Sequence, residues 1–190
     1  MRVIMLDHDG VICLSDNWGS RFKKQKKARR KLSQSVMTMG VDARFDNFDK
    51  KAIKVLNEIL EQTGAEIVVS SDWKNWASVE EMGDYYEKQG IIKRPIDFTG
   101  NVLDLSRVTW HRNWDLEGTR SMEIQDWLAE HPEVTHWVAI DDLNMGKTGI
   151  HYGMEFEHEW ALDNFVHTPL NNEGIKQVGV KEKILTFLND

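Results

Sequence analysis

Short runs of apolar, often β-branched residues alternate along this chain with segments whose apolar positions recur every three or four residues. RVIML (2–6) is the first run, and it stops at Asp7. EIVVS (66–70) ends at Ser70–Ser71, and HWVAI (136–140) ends at Asp141–Asp142. NFV (164–166) is a weaker fourth, ending near His167–Thr168. Over 48–62, Phe48, Ala52, Ile53, Val55, Leu56, Ile59 and Leu60 repeat with helical spacing. Further helices are expected over 76–89, over 118–130, where Ile124, Trp127 and Leu128 share a face, and over 180–189. Strands alternating with helices imply parallel pairing, covered on both faces. The expected fold class is α/β, a Rossmann-like three-layer sandwich with a central parallel sheet and a small cap insert after the first strand.

In such a sheet ligands bind outside the carboxyl ends of the strands. Asp7, Asp9, Ser70, Ser71, Asp141 and Asp142 all fall there, so three strands deliver polar ends to one rim. Asp7 and Asp9 are two apart on a chain leaving a strand, which turns both side chains to one side. Gly10 permits the sharp departure that follows. This grouping meets the demands of phosphomonoester hydrolysis. Aspartates around one Mg²⁺ supply hard oxygen ligands, and one carboxylate can take the phosphoryl group. A second carboxyl protonates the leaving oxygen and later deprotonates water. A hydroxyl at the neighbouring strand end, with Ser70 preferred over Ser71, holds a phosphoryl oxygen. A cation from Arg120 or Lys147 bridges nucleophile and phosphate.

At 190 residues the chain has the size of one domain, 1–190, with 11–47 as a cap-type insert. No run approaches the length of a membrane span, and no signal cleavage site follows the N-terminus. Its single cysteine, Cys13, suits a reducing compartment, so a cytoplasmic setting is expected. The net charge of −7 hides an uneven distribution. RFKKQKKARRK (21–31) holds eight basic residues and no acid, whereas the rest of the chain has 16 basic against 31 acidic side chains. A basic arm on an acidic body suits contact with nucleic acid or a nucleotide, and equally a solvated helix face.

LDHDG (6–10), VVSS (68–71), Arg120 and AIDD (139–142) resemble the four successive motifs of the haloacid dehalogenase (HAD) superfamily. Over about residues 2–188 the chain is similar to the HAD phosphatase domains of RNA-repair proteins, related to the phosphatase half of polynucleotide kinase-phosphatase. FDKKAIKVLNEILEQTGAEIVVSSDWK, RSMEIQDWLAEHPEVTHWVAIDDL and FVHTPLNNEGI carry that similarity. The resemblance implies a Mg²⁺-dependent phosphatase with an aspartyl-phosphate intermediate. It implies Asp7 as nucleophile and metal ligand, and Asp9 as general acid/base that also binds metal through its carbonyl. Ser70 binds phosphate, Arg120 stabilises the pentavalent phosphoryl group, and Asp141 and Asp142 complete the metal shell. Gly10, Ser71, Lys74 and Lys147 are the expected substrate contacts. Related domains often read S-S-x-W-R; here Lys74 keeps the charge without the bidentate fork.

Other motifs lead less far. MGKTG (145–149) ends like a phosphate loop, but the first glycine of that loop falls on Asp141. His151 and His158 fit no common zinc spacing. Of eight tryptophans, Trp127 and Trp137 are expected in the core. Trp18, Trp73, Trp76, Trp110 and Trp114 are expected near the rim, as packing anchors or as platforms for bases. The reading is a phosphatase for a nucleotide or a nucleic-acid end. A phosphatase for another small metabolite, or a nucleic-acid-binding accessory module, is the alternative. The oligomeric state is left open.

Overall fold

A computed structural model describes residues 1–29, 39–101, 116–146, 148–151, 154–157 and 160–189. Lys147, Trp110, Trp114 and His158, singled out above, lie outside the described residues, as does the end of the basic run from Arg30.

The central sheet is built from β1 (Arg2–Leu6), β2 (Glu66–Val69), β3 (Pro95–Phe98), β4 (His136–Asp141) and β7 (Phe165–His167), with β5 (Thr148–His151) and β6 (Met154–Glu157) forming a separate antiparallel pair. Its five strands are all parallel, in the order β3-β2-β1-β4-β7. Alternation along β1 divides the core. Ile4 and Leu6 join a cluster with Ala52, Leu56 and Ile59 of α3 (Lys50–Thr63), Met82 and Tyr86 of α4 (Val79–Gln89), and Ile184 and Leu188 of α6 (Val180–Asn189). Val3 and Met5 join Ile124 and Trp127 of α5 (Leu116–Glu130) on the other face. Helices therefore cover both faces, and the expected α/β sandwich is the observed one. Trp127 is buried as expected, whereas Trp137 is only half-buried against the second cluster.

Boundaries moved for local reasons. α3 starts at Lys50 because the Asp49 carboxylate accepts hydrogen bonds from the backbone N–H groups of Lys51 and Ala52. α4 starts at Val79 rather than 76, since Ser78 and Glu81 form a reciprocal capping box. Of the three preceding positions, Trp76 ends a 3₁₀ turn, Asp72–Trp76, Ala77 caps that turn, and Ser78 caps α4. Within 11–47, Val11, Ile12, Cys13 and Leu14 are fully buried in the main core. The basic stretch forms α1 (Ser20–Arg29), followed by the short α2 (Val41–Arg44). Among the described residues no helix is long and apolar enough to cross a membrane.

Candidate active site

β1 is the point where the strand order reverses, with β2 on one side and β4 on the other. Connections leave it in opposite directions, which opens a crevice at its carboxyl end. Into that crevice run Asp7 from β1, Ser71 from β2 and Asp142 from β4; Arg120, Thr119 and Glu123 enter from the first turns of α5. Together with Asp9, Asp72, Leu116 and Leu143 they line a cleft of about 190 Å³.

Asp7 is 95% buried and holds its backbone N–H on Ile140 O. Burial pushes its carboxyl up to about 7, against the pull of Arg120 and a hydrogen bond from Ser71. Asp141 is raised well above the carboxylate range, first by burial and then by Asp7. Asp142 is raised by burial as well. One oxygen from each of these three lies within 4.8 Å of the others. Three desolvated carboxylates this close repel one another and favour a cation among them. Their donors, all hard oxygens, fit Mg²⁺.

Arg120 supplies part of the balancing charge. Its Nη1 donates to Asp7 Oδ1 (3.1 Å), Asp141 Oδ2 (3.1 Å) and Ser70 O (2.6 Å), and its Nη2 to Asp72 Oδ1 (3.2 Å). Burial opposes its positive charge, but the surrounding carboxylates outweigh burial and raise its pKa further. Sequence order singled out Arg120, and the fold brings it to Asp7.

Gly10 turns the chain with φ of +70°, a conformation that L side chains rarely adopt. A β-carbon there would meet Asp142 Oδ2 at 2.6 Å, so the glycine makes room for that carboxylate. Asp9 is half-buried, its pKa raised by burial. Its Oδ2 accepts a hydrogen bond from Trp73 Nε1 at 2.8 Å.

Two of the expected phosphate or substrate contacts, Ser70 and Lys74, are not among the residues that line the cleft. The preferred serine, Ser70, is sealed beneath the cleft with its Oγ buried and without a hydrogen-bond partner. Ser71 is the serine that lines the cleft, near enough to Asp7 to oppose the rise in its pKa. Lys74 does not reach into the cleft but is latched below its wall. Its Nζ donates to Glu123 Oε2 (2.6 Å), Gly100 O (2.9 Å) and Thr99 Oγ1 (3.2 Å). Asp72, Thr119, Glu123, Leu116 and Leu143 went unnoticed in the sequence. Asp72 adjoins the serine pair, and Thr119 and Glu123 flank Arg120 on one helix face; helical spacing of three was the available signal for Glu123.

Of the rim tryptophans, Trp73 is a buried anchor, stacked on Phe45 at 4.5 Å between centroids. Trp18 and Trp76 are about half exposed. In α1, Arg21 and Lys24 are occupied by Asp46, Asp42 and Asn47. Lys23, Lys26 and Lys27 stand exposed. Arg21 is near enough to Asp9 for its charge to oppose the rise in that carboxyl's pKa.

No curated protein and no solved structure matches the chain. One family does, described as "HAD domain in Swiss Army Knife RNA repair proteins", over residues 3–176. That match spans every strand of the sheet and each of the motif residues at its rim. The chain therefore belongs to this family of HAD domains, phosphatase-type hydrolases of phosphorylated substrates.

Proposed function

We propose that the protein is a Mg²⁺-dependent phosphomonoesterase acting on the terminal phosphate of a nucleic acid or nucleotide. The observation that carries this reading is the convergence of Asp7, Asp9, Ser71, Arg120 and the Asp141–Asp142 pair on one small cleft. Asp7, Asp141 and Asp142 would hold the metal, which neutralises charge on the phosphoryl group when bound.

The Asp7 carboxylate attacks phosphorus, and the ester P–O bond breaks as Asp9 gives its proton to the leaving oxygen. The product alcohol departs and the phosphoryl group stays on Asp7. Water then attacks phosphorus while the Asp9 carboxylate takes its proton. The Asp7–phosphorus bond breaks, returning free Asp7 and inorganic phosphate. Ser71 and Arg120 hold the phosphoryl oxygens through both steps. Burial shifts the pKa of Asp9 upward, the direction that favours a proton donor. Lys74 supports the wall through Glu123 rather than touching substrate.

A cleft of about 190 Å³ lies below the roughly 300–1,000 Å³ of sites that enclose a whole drug-sized ligand. It suits a phosphoryl group on the end of something larger. The exposed lysines of α1, with exposed Trp18 and Phe22 beside them, support a nucleic acid as that larger body. A turnover panel with Mg²⁺ should include nucleotides, sugar phosphates and 3′- or 5′-phosphorylated oligonucleotides. Oligonucleotide ends should be hydrolysed best, with KM rising steeply as salt is added. Equal rates on sugar phosphates, with KM insensitive to salt, would leave a phosphatase of small metabolites instead.

A further inference from the structure

Four consecutive residues after β2 each engage a different part of the cleft. Ser71 lies near Asp7, Asp72 bonds Arg120, Trp73 bonds Asp9, and Lys74 bonds Glu123. Only the third contact reaches Asp9, and its donor ring is packed among His8, Phe45 and Phe48. The Trp73 indole lies nearly parallel to Phe45 (4° between planes) and packs on Phe48 at 5.5 Å and His8 at 4.7 Å. His8 is in turn tied through Nε2 to the Tyr86 hydroxyl at 2.6 Å. An indole with its ring 95% buried must place its N–H on an acceptor, and here that acceptor is Asp9 Oδ2.

We infer that Trp73 is a positioning residue for catalysis: its N–H fixes the rotation of the Asp9 carboxyl so that the other oxygen, Oδ1, is the one presented to the leaving group. Without the bond the Asp9 carboxyl keeps only the weaker interaction with the Cys13 thiol, and its terminal torsion has only broad, shallow preferences. The proton would then be delivered from a scatter of orientations. This rests on the proposed role of Asp9, and the test separates the two ideas.

The variant is Trp73→Phe, which keeps an aromatic ring against Phe45 and removes the donor. If it fails to fold, site-specific 3-benzothienylalanine at 73 keeps the full outline with sulfur in place of N–H. The readout is kcat/KM for an alkyl phosphomonoester and for 2,4-dinitrophenyl phosphate, since a leaving group as good as dinitrophenolate needs no proton. Losing the positioning of the acid should lower kcat/KM for the alkyl ester about 10- to 100-fold, a part of the roughly 10²–10⁴-fold that a general acid contributes. The value for the dinitrophenyl ester should change less than about threefold, with KM for the alkyl ester unmoved. Asp9→Asn is run in parallel and should show the same selectivity for leaving group, more strongly. Equal losses on both esters, or no loss on either, overturn the role of Trp73. If Asp9→Asn itself shows no dependence on leaving group, the assignment of the general acid falls, and this inference with it. A leaving-group effect in Asp9→Asn but not in the Trp73 variants overturns this inference alone.

Discussion

Replacing Gly10 by alanine tests the link between backbone and cleft, because the residue follows β1 and Asp7 and lies against the Asp142 carboxylate. At φ of +70° an L-residue bears a strain of about 1–2 kcal/mol. The new methyl would lie 2.6 Å from Asp142 Oδ2 and 2.7 Å from its Cβ and Cγ, closer than real contacts allow. Asp142 must therefore swing away, and overpacking of this kind adds about 1–3 kcal/mol. A total of about 2–5 kcal/mol corresponds to a melting temperature lower by about 4–20 °C in a chain of this length. The second consequence is specific to the site. Wild-type protein in Mg²⁺ at 100 times Kd should gain about 2.7 kcal/mol of stability over the metal-free form. With Asp142 displaced, most of that gain should vanish. The assay is thermal unfolding with and without Mg²⁺, followed by calorimetry of metal binding. An alanine variant that melts like wild type and keeps the full Mg²⁺ increment would refute the argument for steric room at Gly10.

Asp7→Asn should lower turnover by several orders of magnitude while circular dichroism stays native, because the amide keeps the shape but cannot form the acyl phosphate; retained turnover would exclude Asp7 as nucleophile. Lys74→Ala strands the Glu123 carboxylate in a pair whose side chains are only 5% and 9% exposed. It should cost about 3–5 kcal/mol in urea unfolding, with much of that recovered when Glu123→Leu is added. Leu56→Ala, at a fully buried position of α3, should cost about 2–5 kcal/mol and leave KM unchanged. Replacing Lys23, Lys26 and Lys27 together by glutamine should flatten the log–log salt dependence of single-stranded oligonucleotide binding by about two units; an unchanged slope would remove α1 from the substrate path.

The sheet was legible where strands are central and apolar. β1, β2 and β4 are buried over their last three or four residues, and the polar positions that follow marked the rim without any knowledge of pairing. β3 escaped notice because it is an edge strand of four residues, PIDF, that starts with proline and carries an aspartate. An edge position needs no continuous apolar run, so hydrophobic periodicity is silent there. α1 is half legible: SRFKKQKKAR has no apolar stripe, so a basic arm and a solvated helix face read alike, and the helix is tied down by Asp46, which accepts from the backbone of Arg21. The choice between Ser70 and Ser71 turned on one residue of register. Successive residues of a strand face opposite ways, so a one-residue uncertainty at the end of β2 exchanges a cleft hydroxyl for a sealed one. The contacts that tune Asp9 were beyond reach, since Trp73 is 64 residues away in sequence.

The lining of the cleft has the wrong sign for the ligand it is proposed to hold. Asp7, Asp9, Asp72, Glu123 and Asp142 face it, and Arg120 is the one cation among the described residues that line it. Arg120 is already shared among Asp7, Asp141 and Asp72. Glu123 is answered from behind by Lys74, and Asp72, at 83% side-chain exposure, is screened by water. What is left is the group of Asp7, Asp141 and Asp142, buried and mutually repelling. A phosphate dianion entering against that group alone would be turned away. A divalent cation there reverses the local charge and relieves the repulsion that burial has imposed on the carboxylates. Metal and phosphate binding should therefore be coupled, each raising the affinity for the other by the same factor. Isothermal titration of inorganic phosphate, with and without Mg²⁺, measures that factor directly. Phosphate binding of equal strength in both titrations would mean that Arg120 and Ser71 suffice by themselves, and that the acidic cluster serves some other purpose.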